Sequence, residues 1–314
     1  MSPEAVALVV ITFVAAIVNG ALGYGFSSIT VPIALFFYTN RILNPSLVLL
    51  EVALNSFMLW NNSVGVSMVW RRVLPILIGL APGVVIGTSI IYLVSPEWIK
   101  FATFLVLCPL ILLQAAGIRR PIKAERPAGL ALGTGVGVLY SVTTISGPPL
   151  ALMFNNQGFA KNDFRAALAL VRLAESSMTA VAYFYVGMFT VETIGLAPLI
   201  LPSVILGIPL GAWIIRRVRS ETFRRVCMSF DAWIVGFGTS KVLIELNLAQ
   251  APSAYLFLAA VGAIDILLLY RFFTGSTFAH RDDSRYVESL PVDSELRVEM
   301  PTVGSDRSGT VSAT

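Results

Sequence analysis

Charge is scarce in this chain. Only 13% of its 314 residues are Asp, Glu, Lys or Arg, about half the ~25% usual in soluble domains. A soluble enzyme built around one large core is therefore not expected. Histidine is almost missing: the single copy, His280, lies in a polar tail. An intramembrane serine protease would thus have no membrane histidine to activate a serine such as Ser146. A Ser–Lys pair would need Lys241, which has no supporting motif around it. Cysteine is limited to Cys108 and Cys227, both inside apolar runs, which read as free buried thiols rather than a disulfide or redox pair. The start, MSPEAVALVV, has no basic n-region, so a cleaved signal peptide is not expected. No basic face survives once the arginine clusters are placed in loops, which argues against a nucleic-acid partner. No cofactor and no metal site are expected.

What the chain does have is apolar length. Hydrophobic residues make up 56% of it and the mean hydropathy is +0.80. Apolar runs of roughly 18 to 25 residues recur, long enough as helices to cross a bilayer of about 30 Å. The periodicity predicts a broken helical pair at 5–38, full spans near 45–63, 72–94 and 97–117, a second broken pair at 128–154, and full spans near 163–186, 191–215, 222–246 and 253–273.

The two broken pairs resemble each other. GALGYGFSSITVPIALFF runs from Gly20 to Phe37 and GVLYSVTTISGPPLALMF from Gly137 to Phe154. Shifted by 117 positions, Gly20 meets Gly137, Pro32 meets Pro149, Ala34 meets Ala151 and Phe37 meets Phe154. Each reads as an apolar helix, a break rich in Gly, Ser and Thr, and a short helix opened by proline. Irregular backbone at membrane depth is tolerated only inside protein or beside a watery cavity. A matched pair of breaks is a pointer to a transporter's binding site.

Arginine and lysine mark the cytoplasmic side. Arg119, Arg120, Lys123 and Arg126 fill one loop; Arg216, Arg217 and Arg219, extended by Arg224 and Arg225, fill another; Arg71 with Arg72 and Lys161 with Arg165 mark two more. Arg41 is the single exception outside. This pattern places the N-terminus outside and the C-terminus in the cytoplasm, provided each broken pair returns to its starting side. Each half then holds one returning pair and three full spans, so the halves are inverted. A second register, shifted by 124, matches Gly83 and Gly87 with Gly207 and Gly211; GxxxG spacing by itself reads as close helix packing.

The fold class expected is all-α and polytopic, with two inverted-topology repeats and one extra C-terminal span. The first transmembrane repeat covers residues 1–118, a cytoplasmic linker 119–127, the second repeat 128–248 and an accessory helix 249–273. The tail, 274–314, carries seven acids against four arginines and is expected to be disordered and cytoplasmic.

The breaks carry the chemistry. Ser27, Ser28 and Thr30 supply hydroxyls in the first, and Ser141, Thr143, Thr144 and Ser146, with Gly147, in the second. Free N–H groups at a helix start, aided by the helix dipole, favour anions; the alternative is that these hydroxyls only satisfy broken-helix backbone. Arg172 is a further candidate for substrate binding, or else a structural partner of Glu175 one turn away. Charge inside the membrane is costly, so Glu51, Glu175 and Asp231 are candidates for coupling transport to an ion, or else structural partners of Arg172. Asn55 aligns with Arg172. Lys241 and Glu245, four apart, are expected to pair. Asp265 on the accessory helix reads as a packing residue, and Asn155 to Gln157 as caps.

The segments ISGPPLALMFNNQG, Ile145 to Gly158, and GYGFSSITVP, Gly23 to Pro32, resemble the TauE/SafE (TSUP) sulfite-exporter family. The resemblance covers most of residues 5–246. It implies a multi-pass carrier in a bacterial or archaeal inner membrane for sulfite, an organosulfonate or a related small organic acid. The residues themselves point only to a small anion, moved by alternating access and coupled to a proton or sodium ion. An anion channel and a carrier for a non-sulfur carboxylate remain as alternatives, and self-association is left open.

Overall fold

The computed structural model describes residues 3–116, 125–157, 159, 161–217 and 220–279. Arg119, Arg120 and Lys123 of the expected linker, Arg219, His280 and the tail beyond Ala279 lie outside the described residues. One compact unit ends at Leu269, and a second begins at Tyr270.

The described residues form eleven helices and no strand. They are α1 (Pro3–Leu22), α2 (Phe26–Ala34), α3 (Asn40–Asn61), α4 (Ser63–Leu93), α5 (Pro96–Ala116), α6 (Glu125–Thr143), α7 (Gly147–Asn156), α8 (Lys161–Val186), α9 (Val191–Ile214), α10 (Ser220–Glu245) and α11 (Ala251–Ala279). Eight are long and apolar enough to cross a membrane: α1, α3, α4, α5, α8, α9, α10 and α11. With 9 and 10 residues, α2 and α7 are about 15 Å long or less and reach only part-way. Many large apolar side chains face outward, among them Trp60, Leu93, Phe184 and Leu256, which suits lipid rather than water. Cys108 and Cys227 are free and buried.

Packing follows the small residues. α1 lies along α9, and α6 along α4. A methyl group added at Gly211 would strike the backbone of Ile17, and one at Gly207 the Ala16 side chain. Gly83 faces Thr134 and Gly137 in the same manner, and Gly79 faces Leu130. In both pairs residue numbers rise together, so the partners run parallel. The GxxxG glycines therefore serve close backbone approach. α3 packs on α8, α5 on α10, α4 on α8 and α3 on α9.

Several local expectations are corrected. Pro32 does not open α2; it lies near that helix's end, while Pro148 and Pro149 do occupy the first turn of α7, where a missing N–H costs nothing. Helix α4 begins at Ser63, so Arg71 and Arg72 belong to a helical extension rather than a loop; its 31 residues exceed the ~20 needed to cross. Arg225 is not a loop residue. It is buried in α10 and pairs with Asp265 of α11 at 3.1 Å. Glu245 pairs with Lys100 of α5 at 3.1 Å, not with Lys241; Lys241 sits over the Phe36 and Phe237 rings. Arg41 caps the C-terminal end of α4, donating to the carbonyls of Ile91, Tyr92 and Val94 at 2.9 to 3.0 Å, the end of a helix that favours a cation.

Candidate functional site

Both breaks lie in the interior. The first, residues 23–25, needs left-handed backbone at Gly23 and Gly25, with φ of +84° and +107°, which glycine adopts without a steric penalty. The second, residues 144–146, turns at Thr144 with φ +57°, a rare conformation for a β-branched residue. The breaks meet: a methyl group built on Gly147 would come within 3.2 Å of the Tyr24 ring.

The end of α6 is held by other helices. Asn44 donates to the carbonyl of Val142 at 2.6 Å and Asn40 to the same oxygen at 3.3 Å. The Tyr183 hydroxyl donates to the carbonyl of Ser141. Thr143 Oγ1 accepts from the Ile145 N–H at 3.1 Å and donates to Leu139 O at 2.7 Å. Ser141 donates to Gly137 O and Thr144 to Thr143 O, both at 2.7 Å. These three hydroxyls thus bond to nearby backbone: Ser141 and Thr143 reach carbonyls one turn back in α6, while the Thr143 O and Ile145 N–H contacts lie at the break itself.

Ser27 and Ser146 behave differently. The Ser27 hydroxyl donates to Glu51 Oε1 on α3, and the Ser146 hydroxyl donates to Glu175 Oε1 on α8. The first turn of α2 and the second break thus each hold a glutamate of the long helix that follows. Glu51 is the centre of a wider network. Arg172 Nη2 lies 3.0 Å from its Oε1, and the Tyr140 hydroxyl donates to its Oε2 at 2.7 Å. Arg172 Nη1 donates to Asn19 Oδ1 at 3.4 Å. Arg172 therefore pairs with Glu51 and not, as the one-turn spacing predicts, with Glu175. Glu175 still lies within electrostatic reach of Arg172 and Glu51. Asn55 does meet Arg172, donating to its carbonyl at 3.2 Å.

Every member is buried, and the network is incomplete. Arg172 Nε, Asn19 Nδ2, Thr30 Oγ1 and Glu175 Oε2 are buried without a hydrogen-bond partner among the described residues. Unpartnered buried polar atoms are uncommon in folded proteins and call for an explanation. Arg172 Nε belongs to the guanidinium itself, Asn19 Nδ2 is an amide donor on the residue bonded to it and Thr30 Oγ1 is a hydroxyl, three groups of the kind that bind a small oxyanion, whereas Glu175 Oε2 is an acceptor. Ser28 is buried in the first turn of α2. Asp231 stands apart on α10, buried, with Oδ2 unpartnered. Asn19, Tyr140, Asn40, Asn44 and Tyr183 were not among the sequence-derived candidates. A polar residue inside an apolar run beside a break, as with Asn19 and Tyr140, is the signal that could have found two of them.

The family model described as sulfite exporter TauE/SafE matches residues 8–236. A curated relative from Cupriavidus necator, named probable sulfite/organosulfonate exporter TauE, is 26% identical over 182 residues, covering 57% of this chain and 70% of its own. No solved structure matches the chain. The match extends over both breaks and the Arg172–Glu51 pair, and it makes the chain a multi-pass membrane transporter and not an enzyme: the protein belongs to the TauE/SafE sulfite exporter family.

Proposed function

We propose that this protein is a secondary carrier for sulfite, an organosulfonate or a related small organic acid anion, working by alternating access in a bacterial or archaeal cell membrane. The observation that carries the reading is the buried Arg172–Glu51 pair, flanked by the two breaks and left with unpartnered donors. Before an anion binds, Glu51 neutralises Arg172. An incoming anion takes over the guanidinium, and Glu51 accepts a proton while keeping its hydrogen bonds to Ser27 and Tyr140. Anion and proton then bind together, because a buried site carrying two negative groups against one arginine is costly. Glu175, held by Ser146, is the corresponding group of the second half, and a sodium ion is the alternative coupling partner.

Residues 1–118 and 128–248 act as inverted repeats in this reading. Support comes from helix directions. α3 and α9 run parallel, with Ser46 bonded to Thr193 near both starts, whereas α3 and α4 are antiparallel, with Arg41 at the end of α4. The corresponding helices α4 and α9 are thus opposed, as are α1 and α6 packed along them. Opposed halves around a central site are the basis of alternating access in many carriers. Loop charge supports an external N-terminus and a cytoplasmic C-terminus.

Binding of sulfite and of organosulfonates to purified protein tests the site. Arg172→Gln is expected to abolish binding while the double variant Arg172→Gln/Glu51→Gln stays folded. Unchanged affinity in the double variant would place the site elsewhere.

A further inference from the structure

A cleft of about 370 Å³ opens between α1, α3, α8 and α9. Gly20 and Gly23 form its inner wall, and Asn61, Asn62 and Arg165 stand at the ends of α3 and α8. Space remains open where a side chain on Gly23 would project. We infer that Arg165 is the residue that captures the anion at this cleft and passes it to Arg172, an inference that rests on the carrier reading above.

Three observations converge. Arg165 is half-buried, yet among the described residues no carboxylate pairs with it, in contrast to Arg172 and Arg225. Arg165, Ala169 and Arg172 stand at i, i+4 and i+7 of α8 and so share one helix face; the two guanidinium-bearing positions are about 10 Å apart along the axis. The cleft also ends beside the site: Gly20, in its wall, follows Asn19, whose Oδ1 accepts from Arg172 at 3.4 Å.

A cation without a counter-ion at the mouth of a low-dielectric cleft raises the local concentration of anions. A guanidinium also offers two parallel N–H groups to a sulfonate or sulfite oxygen pair. The neighbouring Asn61 and Asn62 add polar surface without opposing charge. Arg165 thus forms the first of two stations, and Arg172 the second. The cleft opens on the face where α3 ends and α8 begins, so the first station serves one side of the membrane only.

The test uses oriented proteoliposomes holding the full chain, with sulfite added from either face. Arg165→Gln is expected to raise the half-saturating concentration about three- to tenfold on the cleft side. The opposite face and the maximal rate should change less than twofold, and the effect should shrink at high salt. Arg165→Lys keeps the charge without the fork and should give a smaller shift on the same side. Equal shifts on both faces, or no shift in either variant, would overturn the proposal while leaving the carrier reading intact. Absence of any sulfur-oxyanion flux in the unsubstituted protein would overturn both.

Discussion

Arg172 on α8 forms its ion pair with Glu51 on α3, 3.0 Å away, and not with Glu175 one turn along its own helix. The pair therefore ties two halves of the chain together at the point where the breaks meet. Removing one member of a buried pair leaves an uncompensated charge, at a cost of about 3–5 kcal/mol. Glu51→Gln and Arg172→Gln should each lower the unfolding temperature in detergent. The double variant should lose less than the sum, with a coupling of about 1–3 kcal/mol. Strict additivity would mean that the two side chains do not interact.

The same pair predicts what the Glu51 charge does to binding. Removing it frees Arg172 for the anion, so a sulfonate of fixed charge should bind Glu51→Gln more tightly than the unsubstituted protein. The groups facing Glu51 are Arg172, Tyr140 and Ser27, with Glu175 within electrostatic reach. A proton gradient should no longer drive flux through Glu51→Gln. If Glu51→Gln, Glu175→Gln and Asp231→Asn all retain gradient-driven transport, none of the three is the coupling group.

Much of this was legible in the sequence. Apolar length defines the full spans, and glycine with hydroxyl residues marks both breaks. Which of the membrane carboxylates would pair with Arg172 was not legible, although Glu51 stood among them. Glu175 is the local neighbour of Arg172, but the contact is decided by how α3 packs on α8. Lys241 likewise lost Glu245 to Lys100 on α5. Pro32 and Pro149 align at a shift of 117, yet only Pro149 sits in a first turn. The backbone break at Gly25 and the proline are separate devices, and sequence matching merged them.

Hydroxyls in the breaks divide into two uses. Thr144→Val and Ser146→Ala should each weaken anion binding by about 1–3 kcal/mol, a five- to hundredfold loss to order of magnitude. Ser146→Ala acts by leaving Glu175 unheld, and Thr144→Val by disturbing the strained turn. Ser89→Ala, in an exposed helix position bonded to its own backbone at 2.9 Å, should have no effect. Unchanged affinity in both break variants, in well-folded protein, would move the site.

Glycine packing gives a prediction independent of transport. Gly211→Ala would push a methyl group into the Ile17 backbone, and Gly83→Ala into that of Thr134. Both should destabilise by about 1–3 kcal/mol. Gly195 has open space in α9, so Gly195→Ala should stabilise by about 0.5–1 kcal/mol. Equal thermal shifts in all three would refute close helix contact at these glycines.

If the halves are opposed as proposed, the connections between α5 and α6 and between α9 and α10 share the cytoplasmic side. Single cysteines near positions 121 and 218 should therefore react with an impermeant thiol reagent from one face only, and the same face. Labelling from opposite faces would sink the inverted arrangement.

Flux measured in proteoliposomes tests the central claim most directly, using sulfite, an organosulfonate and a small carboxylate, each with and without a proton gradient. The account predicts saturable flux of a sulfur oxyanion that the gradient accelerates and Arg172→Gln abolishes. Flux that does not saturate, that ignores the gradient, or that survives Arg172→Gln unchanged would contradict it.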